Sequence, residues 1–545
     1  MGIVIHQNIS KSVTRDEWER VYEETLVLVQ AFPLGEMYTT TYEGEEFTAV
    51  YRTKERKHDW GTGWAASMDY DTLYGAEEYT LPRDLVGDEV PDPEAGDGMM
   101  GAMQICMDTW SDERFSHTYS LWGNKTQGKA YHMYLLAIAC LIEDCLGEKA
   151  FVHGNITRGQ CRKAVELANR HLERPICVPA ACETGRLYRR IQGLPLSEVE
   201  KVHAFEHFYK GTKDRDFYTF EQEHFGSAVI NAYWKRQFAS SRVGTREFSG
   251  NVKRALSAGI SLEELCRIAS RKHVNRGKRP KEFIKAIMDT KLHLKEKDTT
   301  DCLDIDMECG QPYGNQMFEA EIAFGSAHNP KVDRYLPIEE IRAALKRGMG
   351  AECDVDKVID RYLEEEAKAP EINILKPGIT GEEYNRMVDA DAAEVLKQIM
   401  ARRAEAAQRR REQYDVVEYG DLIHFKRGDR LVPGIEKMLG RCFKVYHGVT
   451  KGEPYQKVKK RDQAGRRSCL IFLSRYLPLR DRDWEHIFQE LEEHEEALER
   501  YYPAFMMRTD YEDQMRMVTA FALNDQLYNY ARELADAEEG EIQEL

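Results

Sequence analysis

The stretch Tyr134–Ile142, YLLAIACLI, is the longest clean apolar run in the chain. It falls far short of the roughly 20 residues that a bilayer span needs. Continued as a helix from Ala130, its apolar side chains run nearly all round, so the helix has to be enclosed by protein at the centre of a core. With 545 residues the chain is too long for one ordinary core, and two or more domains are expected. Hydrophobic residues make up 42%, enough to build such cores, while 31% charged residues argue against a membrane protein.

The run is entered through Gly123-Asn-Lys-Thr-Gln-Gly128-Lys129-Ala130, one residue short of the phosphate-cradling pattern G-x-x-x-x-G-K-[ST]. A second loop, Gly154-Asn-Ile-Thr-Arg-Gly159-Gln160-Cys161, shares Gly-Asn-x-Thr-x-Gly with the first, and both precede helices. A working phosphate loop needs a lysine for the outer phosphates and a hydroxyl for magnesium. The first loop keeps Lys129 but has Ala130 in the hydroxyl position; the second has Gln160 and Cys161. Hydrolysis of a nucleoside triphosphate is not expected. Thr157-x-x-Gln160 reads as a capping box, with Cys161, Ala164, Val165, Ala168 and Leu172 on one apolar face. By the same register Thr126 is expected to cap the first helix. Helix starts attract anions, so Lys125, Lys129 and Arg158 form a candidate anion-binding set.

Thr14-x-x-Glu17 opens a helix with Trp18, Tyr22, Leu26 and Val29 on one face. MYTTTYEGEEFTAVYRT reads as a hairpin around Glu43-Gly44. The stretch from Trp60 to Gly101 is rich in Gly, Trp, Tyr and Asp, and its VGDEVPDPEAGDG reads as a polar loop, a solvated connection in preference to a ligand loop. Helices dominate from about Ala130 to Lys291, with starts at Thr157, Ser197, Ser249 and Ser261. A second hairpin about Gly310–Asn315 places Asp304 and Asp306 on one strand face and Glu319 and Glu321 on the other, a candidate magnesium site. Thr380 opens a long helix. Strands are expected near Val416 to Phe425 and Cys469 to Leu473, then helices from about Asp483 and Asp510. The fold class is mainly α with minor antiparallel β elements, multidomain, with a helix-rich centre. Four regions are expected: mixed α/β over 1–120, helical over 121–295, a small hairpin and long helix over 296–415, and mixed α/β over 416–545.

NVKRALSAGISLEELCRIAS resembles a helix-turn-helix, with Ala255 in the first helix, Gly259 in the turn, and Leu265 and Ile268 inside the second. Arg254 stands where that layout wants an apolar residue, and Glu263 and Glu264 would face phosphates. Arg271, Lys272, Arg276, Lys278 and Arg279 follow. A third basic stretch, KGEPYQKVKKRDQAGRR, reads as an exposed loop: Lys457, Lys459, Lys460 and Arg461 would meet phosphates, with Tyr455 and Tyr446 as stacking faces. Basic ARRAEAAQRRREQ forms another such island. These islands stand against a net charge of -17, which disfavours wholesale coating of nucleic acid.

Twelve scattered cysteines lack disulfide or close zinc-ligand spacing, Cys177-x4-Cys182 being the nearest approach. Cys161, at a helix start after His153, is the one thiol placed as a nucleophile, although it falls on an apolar face. Reduced thiols and the lack of a secretory signal pattern lead to the expectation of a cytoplasmic protein. The functional expectation is a non-catalytic interaction or regulatory protein without a cofactor, binding RNA or DNA, a phosphate-bearing ligand or an acidic protein partner, and no membrane. The alternative is a magnesium-dependent nuclease or nucleotide-processing enzyme.

Overall fold

The computed structural model describes residues 3–42, 45–51, 63–70, 73, 75–85, 91–107, 113–115, 117–126, 131–274, 280–290, 292–293, 335–349, 353–368, 416–417, 419–431, 434–473, 477, 479–507 and 512–543. In chain order its elements are β1 (Ile5–Ser10), α1 (Arg15–Ala31), β2 (Glu36–Tyr42), β3 (Glu45–Tyr51), β4 (Gly63–Met68), β5 (Gly75–Pro82), α2 (Met99–Cys106), β6 (Thr118–Trp122), α3 (Tyr131–Leu146), β7 (Ala150–Gly154) and α4 (Arg158–Ala168). Helices then follow one another: α5 (Thr184–Gln192), α6 (Glu198–Phe208), α7 (Arg215–Phe225), α8 (Ser227–Ser240), α9 (Arg246–Ser257), α10 (Leu262–Val274), α11 (Pro280–Met288), α12 (Ile338–Met349) and α13 (Val355–Lys368). The last part holds β8 (Val416–Val417), β9 (Arg430–Leu431), α14 (Ile435–Gly448), α15 (Glu453–Lys459), α16 (Gln463–Leu473), α17 (Asp481–Glu493), α18 (Ala497–Met506), α19 (Glu512–Leu523) and α20 (Asp525–Gln543). The protein is mainly helical with small sheets, as its apolar periodicities require.

The chain forms two compact units. One comprises Met1–Val21, Val86–Gly128 and Leu135–Met400; the other comprises Tyr22–Leu85, Lys129–Tyr134 and Ala401–Leu545. In the first unit β1 is the middle strand of an antiparallel sheet, order β6-β1-β7. Its largest apolar cluster gathers residues from α2 and α5–α13, among them Phe205, Phe217, Trp234, Phe248 and Phe283. In the second unit the sheet order is β2-β3-β4-β5, with only β3 and β4 parallel. Met68, Leu73 and side chains of α14–α20 make its main apolar cluster.

Helix α3 is enclosed as its all-round apolar pattern demands: Leu135 through Ile142 are at most 1% exposed. The caps at Thr14, Thr157 and Ser197 form, each with a Glu or Gln three residues on returning the bond. Ser261 accepts from the Glu264 N–H. The first hairpin has the expected arms, β2 against β3 in register from Glu36↔Tyr51 to Tyr42↔Glu45.

Other expectations are corrected. Ser249 lies inside α9, whose cap is Thr245. Thr126 donates both its N–H and its hydroxyl to the Ile3 carbonyl, and residues 127–130, where its expected cap would form, lie outside the described residues. The Gly-, Trp-, Tyr- and Asp-rich stretch after Trp60 contains strands β4 and β5. Cys469–Leu473 is the last part of helix α16, the preceding QAGRRS having extended an apolar run too short to reveal its own period. Among the described residues between Val416 and Phe425, Val416–Val417 is strand and Tyr419–His424 is a 3-10 turn. The hairpin of 301–325, the helix from Thr380 and the basic run ARRAEAAQRRREQ lie outside the described residues.

The second glycine loop depends on Gly154, whose φ is +114° and whose Cα faces the Val4 carbonyl so closely that a Cβ would strike its oxygen. Thr157→Ala, which removes only the cap, is expected to cost about 1 kcal/mol. Gly154→Ala is expected to cost more, and urea unfolding midpoints of the two variants give the comparison.

Candidate functional site

Strands β6 and β7 both run antiparallel to β1, so both end beside its start. The two Gly-Asn-x-Thr-x-Gly loops therefore leave the same end of one sheet, one on each side of β1. Three contacts fasten them there. Lys125 forms a β-bridge with Val4, the Thr126 N–H donates to the Ile3 carbonyl at 2.8 Å, and the Asn155 N–H donates to the Val4 carbonyl at 2.9 Å. The Asn155 side chain completes the closure by accepting from the Val4 N–H.

Of the anion-binding set, Lys125 is exposed on the first loop and Arg158 is half-buried on the second. Lys129 lies outside the described residues. The second loop is not an open phosphate cradle. Its first backbone donors are already taken, Arg158 N–H by the Lys210 carbonyl and Gln160 N–H by Thr157 Oγ1. What remains for an anion is side-chain charge. Arg158 donates to the Tyr209 hydroxyl at 3.3 Å, and its buried Nε has no hydrogen-bond partner.

Lys210, in the turn after α6, is the cation that sequence reasoning missed. Its backbone is fixed on both sides, its N–H donating to Ala181 and its carbonyl accepting from Arg158, while Nζ donates to the Gly154 carbonyl at 2.9 Å. His6 and His153 sit opposite each other on β1 and β7, their rings stacked at 4.8 Å, and His153 Nε2 meets Asn8 Oδ1 at 2.9 Å. Burial, then the Lys210 charge, lowers the His6 imidazole. Burial and the neighbouring His6 and Lys210 hold His153 well below its ordinary range. His207, exposed on α6, is also lowered, by the partial burial of its ring and then by Lys210. At neutral pH these rings are uncharged hydrogen-bonding groups beside one lysine.

Behind them Cys140, Cys161 and Cys182 are buried. Cys161 is held well above the ordinary thiol range by its hydrogen bonding to Cys140 and by burial, which removes it as a thiolate nucleophile.

A second polar cluster sits among α6–α9. Glu206 and Glu221 are 1% and 0% exposed. Lys213 Nζ lies 2.9 Å from Glu206, and the Arg254 guanidinium lies 5.7 Å over the Trp234 ring. Both oxygens of Glu221, the Tyr218 hydroxyl, Trp234 Nε1 and Asn251 Nδ2 are buried without hydrogen-bond partners. Burial, then the Glu206 charge, raises the Glu221 carboxyl well above its ordinary value of 4.5. The expected helix-turn-helix corner adjoins this cluster. Gly259 turns with φ +86°, while Ala255, Ile260 and Leu265 are buried in packing. The Glu263 carboxylate at the start of α10 pairs with Arg267 and Arg347, each at 2.7 Å. Arg271 and Lys272 end α10; Arg276, Lys278 and Arg279 lie outside the described residues, as do Asp304, Asp306, Glu319 and Glu321.

The basic stretch after Lys451 is helical, forming α15 and α16, not an open loop. Tyr455 and Tyr446 are 1% and 0% exposed, and Tyr455 packs edge-on against Tyr502, so neither offers a face for base stacking. Lys457 pairs with Glu453 at 2.8 Å and Lys459 with Glu499 at 3.2 Å, while Lys460 and Arg461 are exposed. Among the described residues no group of three His, Cys, Asp or Glu side chains is arranged to hold a metal ion, and no helix is long and apolar enough to cross a membrane.

Comparison of the chain with protein-family models, curated proteins and solved structures finds no match.

Two substitutions separate these clusters. A raised carboxyl binds more protons in the folded than in the unfolded chain, so its contribution is fully present below about pH 4.5 and is lost as pH rises through the folded value. Glu221→Gln is therefore expected to raise the melting temperature most at alkaline pH and to flatten the decline there; an unchanged pH profile would contradict this. Tyr455→Ala is expected to lower stability by roughly 3 kcal/mol, the scale for emptying a buried aromatic site, as read by urea unfolding.

Proposed function

We propose that the protein is a cytoplasmic, non-catalytic binding component that takes a small phosphate-bearing ligand at the end of its three-stranded sheet. The observation that carries this reading is the convergence of two related glycine loops at one sheet end, together with Lys125, Arg158 and Lys210. Arg158 supplies a planar donor with a buried, unpartnered Nε, and Lys210 a compact charge. The uncharged His6, His153 and His207 leave the local field positive without adding repulsion between cations. The basic residues of α15 and α16 favour this site less, since Glu453 and Glu499 already meet Lys457 and Lys459.

Calorimetric titration with pyrophosphate tests the reading. Binding is expected to weaken as salt rises, and Arg158→Gln is expected to reduce affinity about tenfold or more, the scale of a charge-assisted hydrogen bond. Lys457→Ala is expected to leave the affinity unchanged. Absence of pyrophosphate binding at low salt, or equal loss in Arg158→Gln and Lys457→Ala, would overturn the proposal.

A further inference from the structure

Lys210 combines three properties that an ordinary structural lysine lacks. Its backbone is pinned at both ends and its ammonium is aimed at the Gly154 loop. Among the described residues no carboxylate pairs with it, although the nearby Lys213 has Glu206. Among the described residues its Nζ donates to one backbone carbonyl, and an ammonium has three donors to offer. A cation in this setting is costly to keep charged, and the loss of its proton relieves that cost.

We propose that Lys210 captures its ligand covalently, its amine condensing with the carbonyl carbon of a phosphate-bearing aldehyde to form an imine. This rests on the phosphate reading of the same sheet end and names the ligand class more closely. The nitrogen lone pair attacks the carbonyl carbon, forming C–N as the C=O π bond breaks, and the oxygen takes a proton. The carbinolamine then loses that oxygen as water, the nitrogen giving up its second hydrogen as C=N forms. In sum, one amine and one aldehyde give one imine and one water, with no oxidant or reductant. His6 lies near enough to feel the Lys210 charge, and its imidazole can relay the protons that move between nitrogen and oxygen.

The electrostatics agree with that geometry. Burial, offset by the Cys161 thiol and reinforced by Lys213, lowers the Lys210 amine to about 8. About a tenth of such amines are neutral at pH 7, against roughly one in three thousand for an ordinary lysine. A neutral amine is the nucleophilic form.

The test uses the full chain with pyridoxal phosphate as probe and pyridoxal as its phosphate-free control, each followed by borohydride reduction and peptide mass spectrometry. Lys210 is expected to be labelled by pyridoxal phosphate at least about tenfold faster than exposed lysines, with protection by pyrophosphate and slower labelling in His6→Gln. Lys210→Arg is expected to lose the imine absorbance, and the labelled position in the unsubstituted protein stands even if that variant folds poorly. Equal labelling by both probes without pyrophosphate protection would overturn the phosphate-bearing ligand while upholding the reactive amine. Pyrophosphate binding without a reduced adduct on Lys210, or labelling spread evenly over surface lysines, would overturn the covalent step.

Discussion

The first unit depends on one buried guanidinium. Arg190 of α5 makes two bonds of 2.7 Å to Asp97, just before α2, and its Nη2 also donates to the carbonyls of Glu148 and Ala150, where β7 begins. Its third nitrogen lies 3.6 Å from Glu143 of α3, whose carboxylate accepts from the N–H groups of Val152 and Ala180. One cation and two carboxylates thus join α2, α3, β7, the Ala180 turn and α5. Removing one partner from such a buried network costs about 3–5 kcal/mol because the remaining charge is stranded. The position of β7, and with it the Gly154 loop and the carbonyl that receives Lys210, follows from this clamp.

The contrast with the carboxylates among α6–α9 is instructive. Around Arg190 each charge finds partners; around Glu221 the oxygens find none, and the adjacent Tyr218, Trp234 and Asn251 groups are also unsatisfied. The first arrangement specifies a unique packing, whereas the second strains its bundle and responds to protons. A proton retained on Glu221 removes one of two like charges from the interior. Burial raises the Glu143 carboxyl too, against the pull of Arg190 and of the Val152 and Ala180 N–H groups, so the two sites differ in their partners and not in the direction of their response to pH.

Local rules made much of this legible. Capping boxes at Thr14, Thr157 and Ser197, the enclosed α3 and the β2–β3 hairpin all depend on neighbours within a few residues, which the sequence displays directly. Ser249 and Cys469–Leu473 misled because the same local pattern fits more than one element, and longer context decided. The sheet-end site was half legible. The likeness of the two glycine loops could be read, but their meeting depends on β1 lying between strands that are far apart in sequence. No local pattern marks Lys210. Glu206 and Glu221 did leave a signal: Val202, Phe205, Glu206 and Tyr209 share one helix face, as do Phe217, Glu221 and Phe225, so each acid interrupts an apolar stripe.

The acidic bulk of the chain and its cationic sheet end are compatible because charge acts over different distances for different ligands. A net charge of -17 repels a long polyanion along its whole length. At physiological salt, screening confines most exposed charge effects to about 8 Å, so a small phosphate at the sheet end answers chiefly to Arg158, Lys210 and Lys125. In the other unit, Glu453 and Glu499 already engage two of the basic side chains of α15, which weakens those helices as a surface for nucleic acid. On the proposed reading, ligand size would act as a filter: three closely set cations suit a compact phosphate and are too few to outweigh the repulsion an extended chain of phosphates would meet.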